Sequence, residues 1–176
     1  LRGKFLAMKR LLFLIVVFCL MGTSSLFAQK ERFKALFIFN FTKNIEWPAA
    51  SRGNQFVIVV IGNSELIAEL ETIAQTQRVG NMPIKVVDYT SLDNLNGCHL
   101  VYLSPSKSGM LSSLLTNVNG KHTLVVSDGK NLAAKGSGIS FVQDGDKLKF
   151  EVSRKNIEKQ GLKSSSALAN LGIVVD

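Results

Sequence analysis

From residue 30 onward the chain alternates between stretches with helical spacing and short apolar runs. Phe33, Leu36, Phe37, Phe41 and Ile45 recur at intervals of three and four and predict a helix over 30–45, with these side chains on or near one face. Trp47-Pro48 ends it, because proline disfavours helix at the residue before it. Gln55 to Ile61 (QFVIVVI) is a continuous apolar run, the pattern of a strand covered on both faces. Gly62-Asn63 turns the chain, and Ser64 is placed to cap a helix reaching about Gln75. Pro83 to Tyr89 and Cys98 to Leu103 predict the second and third strands. Ser106 or Ser108 then caps a helix through about Val118, stopped by Asn119-Gly120. His122 to Val126 predicts a fourth strand and Asn131 to Lys135 a short helical turn. Ile139–Val142 and Leu148–Val152 flank Asp144-Gly145-Asp146, a strong hairpin signal. Lys155–Gln160 and Ser166–Leu171 read as short helices separated by Gly161. Strand–helix alternation of this kind argues for α/β architecture. The expectation is a single domain with a mixed, largely parallel sheet flanked by helices, a late antiparallel hairpin and short C-terminal helices.

The first 28 residues have another pattern. Met8-Lys9-Arg10 gives a start residue and a positive segment, and Leu11 to Met21 is unbroken apolar sequence. Small and polar residues follow, and Leu26-Phe27-Ala28 offers a cut after Ala28. This is the tripartite pattern of a secretory signal peptide. The apolar run is about half of the roughly 20 residues that a membrane span needs. Residues 1–28 are therefore expected to be a few residues upstream of Met8 plus a cleaved signal, and residues 29–176 an exported domain. The character of the signal points to the periplasm.

Composition narrows the function. The chain of 176 residues is 46% hydrophobic and 19% charged, which excludes a disordered or collagen-like chain. Four of its 21 basic residues precede residue 28, so 17 face 13 acids in the exported part, a net charge of +4. The cations are spread out and not interleaved with aromatics, and export removes most nucleic-acid roles. Of the two cysteines only Cys98 follows the cut, so no intrachain disulfide is expected there. It reads as a buried thiol, with a reactive thiol or an intermolecular bridge as the alternatives.

Chemistry is sparse. His99 and His122 are the only imidazoles, both expected within strands, and no nucleophile-elbow motif accompanies the available serines. Cys98 and His99 are adjacent, so in a strand they point to opposite faces and do not readily share a metal. No cofactor is expected. Gly62, Ser104, Ser127 and Asp128 fall at strand C-termini, where open α/β sheets place ligands, and form a possible small-molecule pocket. Gly62-Asn63-Ser64 lacks the full glycine fingerprint and the lysine of phosphate-binding loops, so a plain turn is the simpler reading. Four phenylalanines crowd the first helix; a stripe at this spacing is usually core, but these cover more than one face, so ring surface that meets another chain or a partner is the alternative. Trp47 is either a core plug or an interface anchor.

The run Lys34-Ala35-Leu36-Phe37-Ile38-Phe39-Asn40-Phe41-Thr42-Lys43-Asn44-Ile45-Glu46-Trp47-Pro48 resembles the opening motif of the YfiR family of periplasmic proteins. The similarity continues through Phe56–Gly62, Gly97–Ser104, Thr123–Asp128, Gly138–Phe141, Lys149–Val152 and the helical Leu162–Leu171. Ser153 and the last helix depart from the pattern, and the disulfides of some relatives cannot form with Cys98 alone. The resemblance implies a non-enzymatic regulator. It would bind and repress the sensor region of an inner-membrane signalling protein, a diguanylate cyclase or a histidine kinase, and so tune cyclic-di-GMP output and biofilm. An outer-membrane-associated protein would relieve repression by sequestering it, and a homodimer is a further expectation. Phe37, Asn40, Phe41, Trp47 and Pro48 are the motif positions expected to contact the partner. The competing readings are a periplasmic small-molecule sensor and, last, an exported enzyme.

Overall fold

A computed structural model describes residues 24–175 apart from Arg52 and Asn94, with side chains from residue 29. The basic segment and the apolar run expected to form the signal lie outside the described residues. Helix α1 (Ser24–Asn44) leads into a two-residue strand β1 (Ile45–Glu46). Then come β2 (Phe56–Ile61), α2 (Ser64–Thr76), β3 (Arg78–Val79), β4 (Met82–Asp88) and β5 (Leu100–Leu103). A 3₁₀ segment (Pro105–Met110) precedes α3 (Leu111–Val118), followed by β6 (Leu124–Asp128), β7 (Ile139–Asp144) and β8 (Lys147–Val152). The chain closes with α4 (Arg154–Lys159), β9 (Lys163–Ser164), α5 (Ser166–Leu171) and β10 (Ile173–Val174).

Eight strands form one sheet in the order β10-β8-β7-β6-β5-β2-β4-β3. Strands β4, β2, β5, β6 and β7 run parallel, while β8 is antiparallel to β7 and β3 to β4. β1 and β9 pair separately. The expected α/β domain is the observed one: a mixed, mostly parallel sheet with one late hairpin and flanking helices. That hairpin turns on Gly145, whose φ of +58° suits glycine, with Asp144 opposite Lys147.

The central strands of the sheet are buried on both sides. One face carries Phe56, Ile58, Val60, Tyr102, Val126, Phe141 and Phe150, under Ile38 and Phe41 of α1, Leu66 and Leu70 of α2, and Leu168 of α5. The other carries Val59, Ile61, Val101, Leu103 and Val125 under Leu111, Leu114 and Val118 of α3. This two-sided burial is why β2 and β5 read as unbroken apolar runs rather than alternating ones.

Several local expectations shift. Asn63, not Ser64, caps α2, its side chain accepting from the Leu66 amide. The helix expected from Ser106 or Ser108 begins at Leu111, because Pro105 starts a 3₁₀ segment first. The third strand begins at Leu100 and the fourth at Leu124, since His122 has φ +56° and cannot extend a strand. The short helical turn expected at Asn131–Lys135 is a run of hydrogen-bonded turns over residues 130–136, with the Lys135 and Gly136 amides donating to the Leu132 and Ala133 carbonyls.

The first helix is rotated from its expected register. Glu31, Lys34, Ala35, Ile38, Phe41 and Thr42 face inward, whereas Phe33 is 49% and Leu36 42% exposed. Phe41 and Ile45 are buried as expected and Phe37 is half-buried. A charged pair has taken the place of two hydrophobic residues, and its partners explain why.

Candidate functional site

In an open parallel sheet, ligands bind beyond the strand C-termini at the point where strand order reverses. Here the chain passes from β2 outward to β4 and then returns to the other side of β2 to form β5. Gly62 and Ser104 close those two strands, and Ser127 and Asp128 end β6 next to them. The expected residues therefore do gather at the switch point. What lies over them is the chain itself.

Lys34, from α1, places its ammonium 2.6 Å from Asp128 Oδ2 and 2.7 Å from Glu31 Oε1. Tyr102 donates its hydroxyl to the same Asp128 oxygen at 2.8 Å, and Asn63 donates to Glu31 Oε2 at 2.8 Å. Burial alone would lower the lysine's pKa, but its bonds to Asp128 and Glu31 outweigh that and hold it above the ordinary value. Burial, then the Asp128 charge, pushes the Tyr102 hydroxyl far up, so it stays a proton donor. The other strand ends are equally occupied. Ser127 is fully buried, its hydroxyl 2.7 Å from that of Ser137, and it donates to Ser140 at 3.0 Å. Ser104 Oγ lies 3.0 Å from Ser106 Oγ. Gly62 has φ +80°, and a Cβ there would fall 2.7 Å from both Ser104 Oγ and Lys107 Cγ. The switch point is thus a packed polar joint that locks α1 to the sheet.

Trp47 is 8% exposed. Its indole N–H donates to the His99 carbonyl at 3.3 Å and its ring meets Phe56 edge-on at 5.0 Å. His99 is held at both nitrogens. The Val57 amide can only donate, so Nδ1 accepts at 3.1 Å and Nε2 carries the proton it gives to the Ser51 carbonyl at 2.7 Å. Burial lowers its pKa, the bond to Ser51 opposing this in part. Cys98 is buried, donates to the Leu95 carbonyl at 3.0 Å, and has its pKa raised by burial.

The open features lie along α1. A groove of about 780 Å³ runs between α1 and the β7–β8 hairpin, lined by Lys30, Phe33, Phe37, Lys147 and Leu148. A second, of about 470 Å³, continues it past Phe37, Asn40 and Phe41 to Leu168 and Leu171 of α5. A third, of about 690 Å³, lies on the other flank between α1 and α2, lined by Arg32, Leu36 and Lys43. Of the expected partner-contact residues, Asn40 is exposed, Phe37 and Pro48 are half-buried, and Phe41 and Trp47 belong to the core. Phe33, Leu36 and Leu171 are exposed apolar side chains outside that expected set; Leu171, at 73% exposed, is the most open large apolar side chain among the described residues. With Lys34 turned inward beside Ala35, Ile38 and Phe41, Phe33 and Leu36 face outward.

Among the described residues no helix is long and apolar enough to cross a membrane, and no three of His, Cys, Asp and Glu gather where they could hold a metal ion.

A solved structure titled as a conserved domain protein from Vibrio cholerae O1 biovar El Tor resembles the chain with a TM-score of 0.54 at 10% identity. The match covers 83% of this chain and 60% of that one, and shows a shared fold. An ABC domain from Streptococcus pneumonia, solved in complex with L-Trp, gives a TM-score of 0.47 at 11% identity over 69% of this chain and 56% of that one. This chain thus spans less than two thirds of either protein. No curated protein sequence matches it. The YfiR/HmsC-like family model matches residues 31–172, from the buried Glu31 to the turn after α5, and the chain belongs to that family.

Proposed function

We propose that this chain is a periplasmic, non-enzymatic regulator that binds the sensor region of an inner-membrane signalling protein and holds it inactive. Diguanylate cyclase is the favoured class of partner, which makes cyclic-di-GMP output and biofilm the downstream readout. Family membership over nearly the whole described chain carries the reading. The arrangement of the site agrees with it. The strand ends are filled by the chain's own side chains, whereas apolar side chains and grooves line the outside of α1. Repression needs only that the regulator bind one receptor state better than another. An outer-membrane-associated protein that sequesters the regulator would relieve repression by mass action.

Deleting the gene from its own organism and measuring cellular cyclic-di-GMP tests this. Repression predicts a rise that the intact gene reverses. An unchanged level, with the deletion confirmed and the cyclases expressed, would contradict the cyclase reading.

A further inference from the structure

The outward face of α1 combines two properties. Phe33, Leu36, Phe37 and Asn40 follow helical spacing and line grooves on both flanks of the helix. The exposed charges that α1 itself contributes there are Lys30, Arg32 and Lys43, all positive, because Glu31 is turned inward to Lys34 and Asn63; across the groove on the α2 side the one carboxylate is the half-buried Glu69. Lys147 and Lys149 add two cations on the hairpin side, against Asp144 and Asp146. Lys43 lies 4.2 Å over the Phe39 ring and screens it.

We infer that this face seats an acidic, amphipathic helix of a protein partner. Its apolar residues would enter the grooves beside Phe33, Leu36 and Phe37, and its carboxylates would meet Lys30, Arg32 and Lys43. Three observations select this occupant. The surface is a ridge between grooves, which side chains fill and a flat lipid surface does not. The stretch from Gln29 to Asn44 is about 24 Å long at 1.5 Å per residue, the reach of about four turns of partner helix. A second copy in a two-fold arrangement would set the three cations against themselves, which disfavours self-pairing on this face. The inference rests on the regulator reading only as far as the existence of a protein partner.

The test is photocrosslinking in cells of the source organism, with p-benzoylphenylalanine placed at Leu36 in the full chain and, as control, at the exposed Asn117 of α3 on the opposite side. The expected result is one protein adduct from Leu36 and none from Asn117. Mass spectrometry should place the crosslink in a segment with apolar residues at helical spacing and flanking Asp or Glu. Lys30→Glu, Arg32→Glu and Lys43→Glu together should reduce the adduct to the control level with an unchanged melting temperature. An adduct to phospholipid, to a second copy of this chain or to a segment lacking acids would overturn the inference. So would no adduct from a folded chain, or an adduct indifferent to the charge reversals. Should the acidic helix belong to a protein without a membrane signalling role, the docking surface stands and the regulator reading falls.

Discussion

Lys34 joins the first helix to the sheet through two carboxylates, and removing it alone strands both of them in a buried joint. Breaking one side of such a pair costs about 3–5 kcal/mol. Lys34→Met should therefore lower the urea midpoint by an amount of that order, at unchanged slope. The raised lysine pKa means this contribution is fully present below the unfolded value of 10.5 and is lost as pH rises through the folded one. His99 works in the opposite direction. Its folded pKa lies below 6.5, so the unfolded chain takes up the proton first, and stability falls as pH drops from 6.5 through the folded value. Melting at pH 7.5 and 5.5 should show that loss in the wild type and a smaller one in His99→Gln. The sequence shows a lysine and a histidine at these positions. It does not show that Asp128 or the Val57 amide, far along the chain, is waiting for them, and so it misses the joint.

The strands were legible because burial on both faces writes itself as continuous apolar sequence, and the hairpin because Asp144-Gly145-Asp146 supplies the turn a two-residue loop demands. Helix register was not. Phe33, Leu36, Phe37 and Phe41 satisfy helical spacing, yet so do Glu31, Lys34, Ala35, Ile38 and Phe41, and only the polar partners on the sheet decide between the two faces. The strand-end residues were legible for the same topological reason that places ligands there. Their occupation by Lys34 and by one another depends on side-chain packing across elements. A mutational contrast tests the observed register. Phe41→Ala, at a buried ring 4.9 Å from that of Phe150, should cost about 3–5 kcal/mol, while Phe33→Ala should stay within about 0.5 kcal/mol. Chemical unfolding of both variants checks this, and the reverse order would restore the register expected from spacing. Trp47→Ala belongs with the first of the pair. Its indole is buried and bonded to the His99 carbonyl, so lost partner binding is expected together with a large drop in melting temperature.

At the scale of the molecule, the parallel sheet is closed where such sheets usually open, and the accessible apolar side chains lie on the outside of α1 and at the C-terminal end, at Leu171, Ile173 and Val174. Against a net charge of +4 over residues 29–176, the outside of α1 is where cations lie beside the exposed Phe33 and Leu36. The proposed regulator would use this surface, with its partner expected at the membrane. The most direct measurement is recovery of a tagged full chain from detergent-solubilised membranes of its own organism, beside a variant carrying Phe33→Ala and Leu36→Ala. The wild type should bring down one inner-membrane protein with a periplasmic sensor region, near equal stoichiometry, and the folded variant should not. Recovery of the chain alone from an intact membrane fraction, or equal capture by the variant, would contradict it.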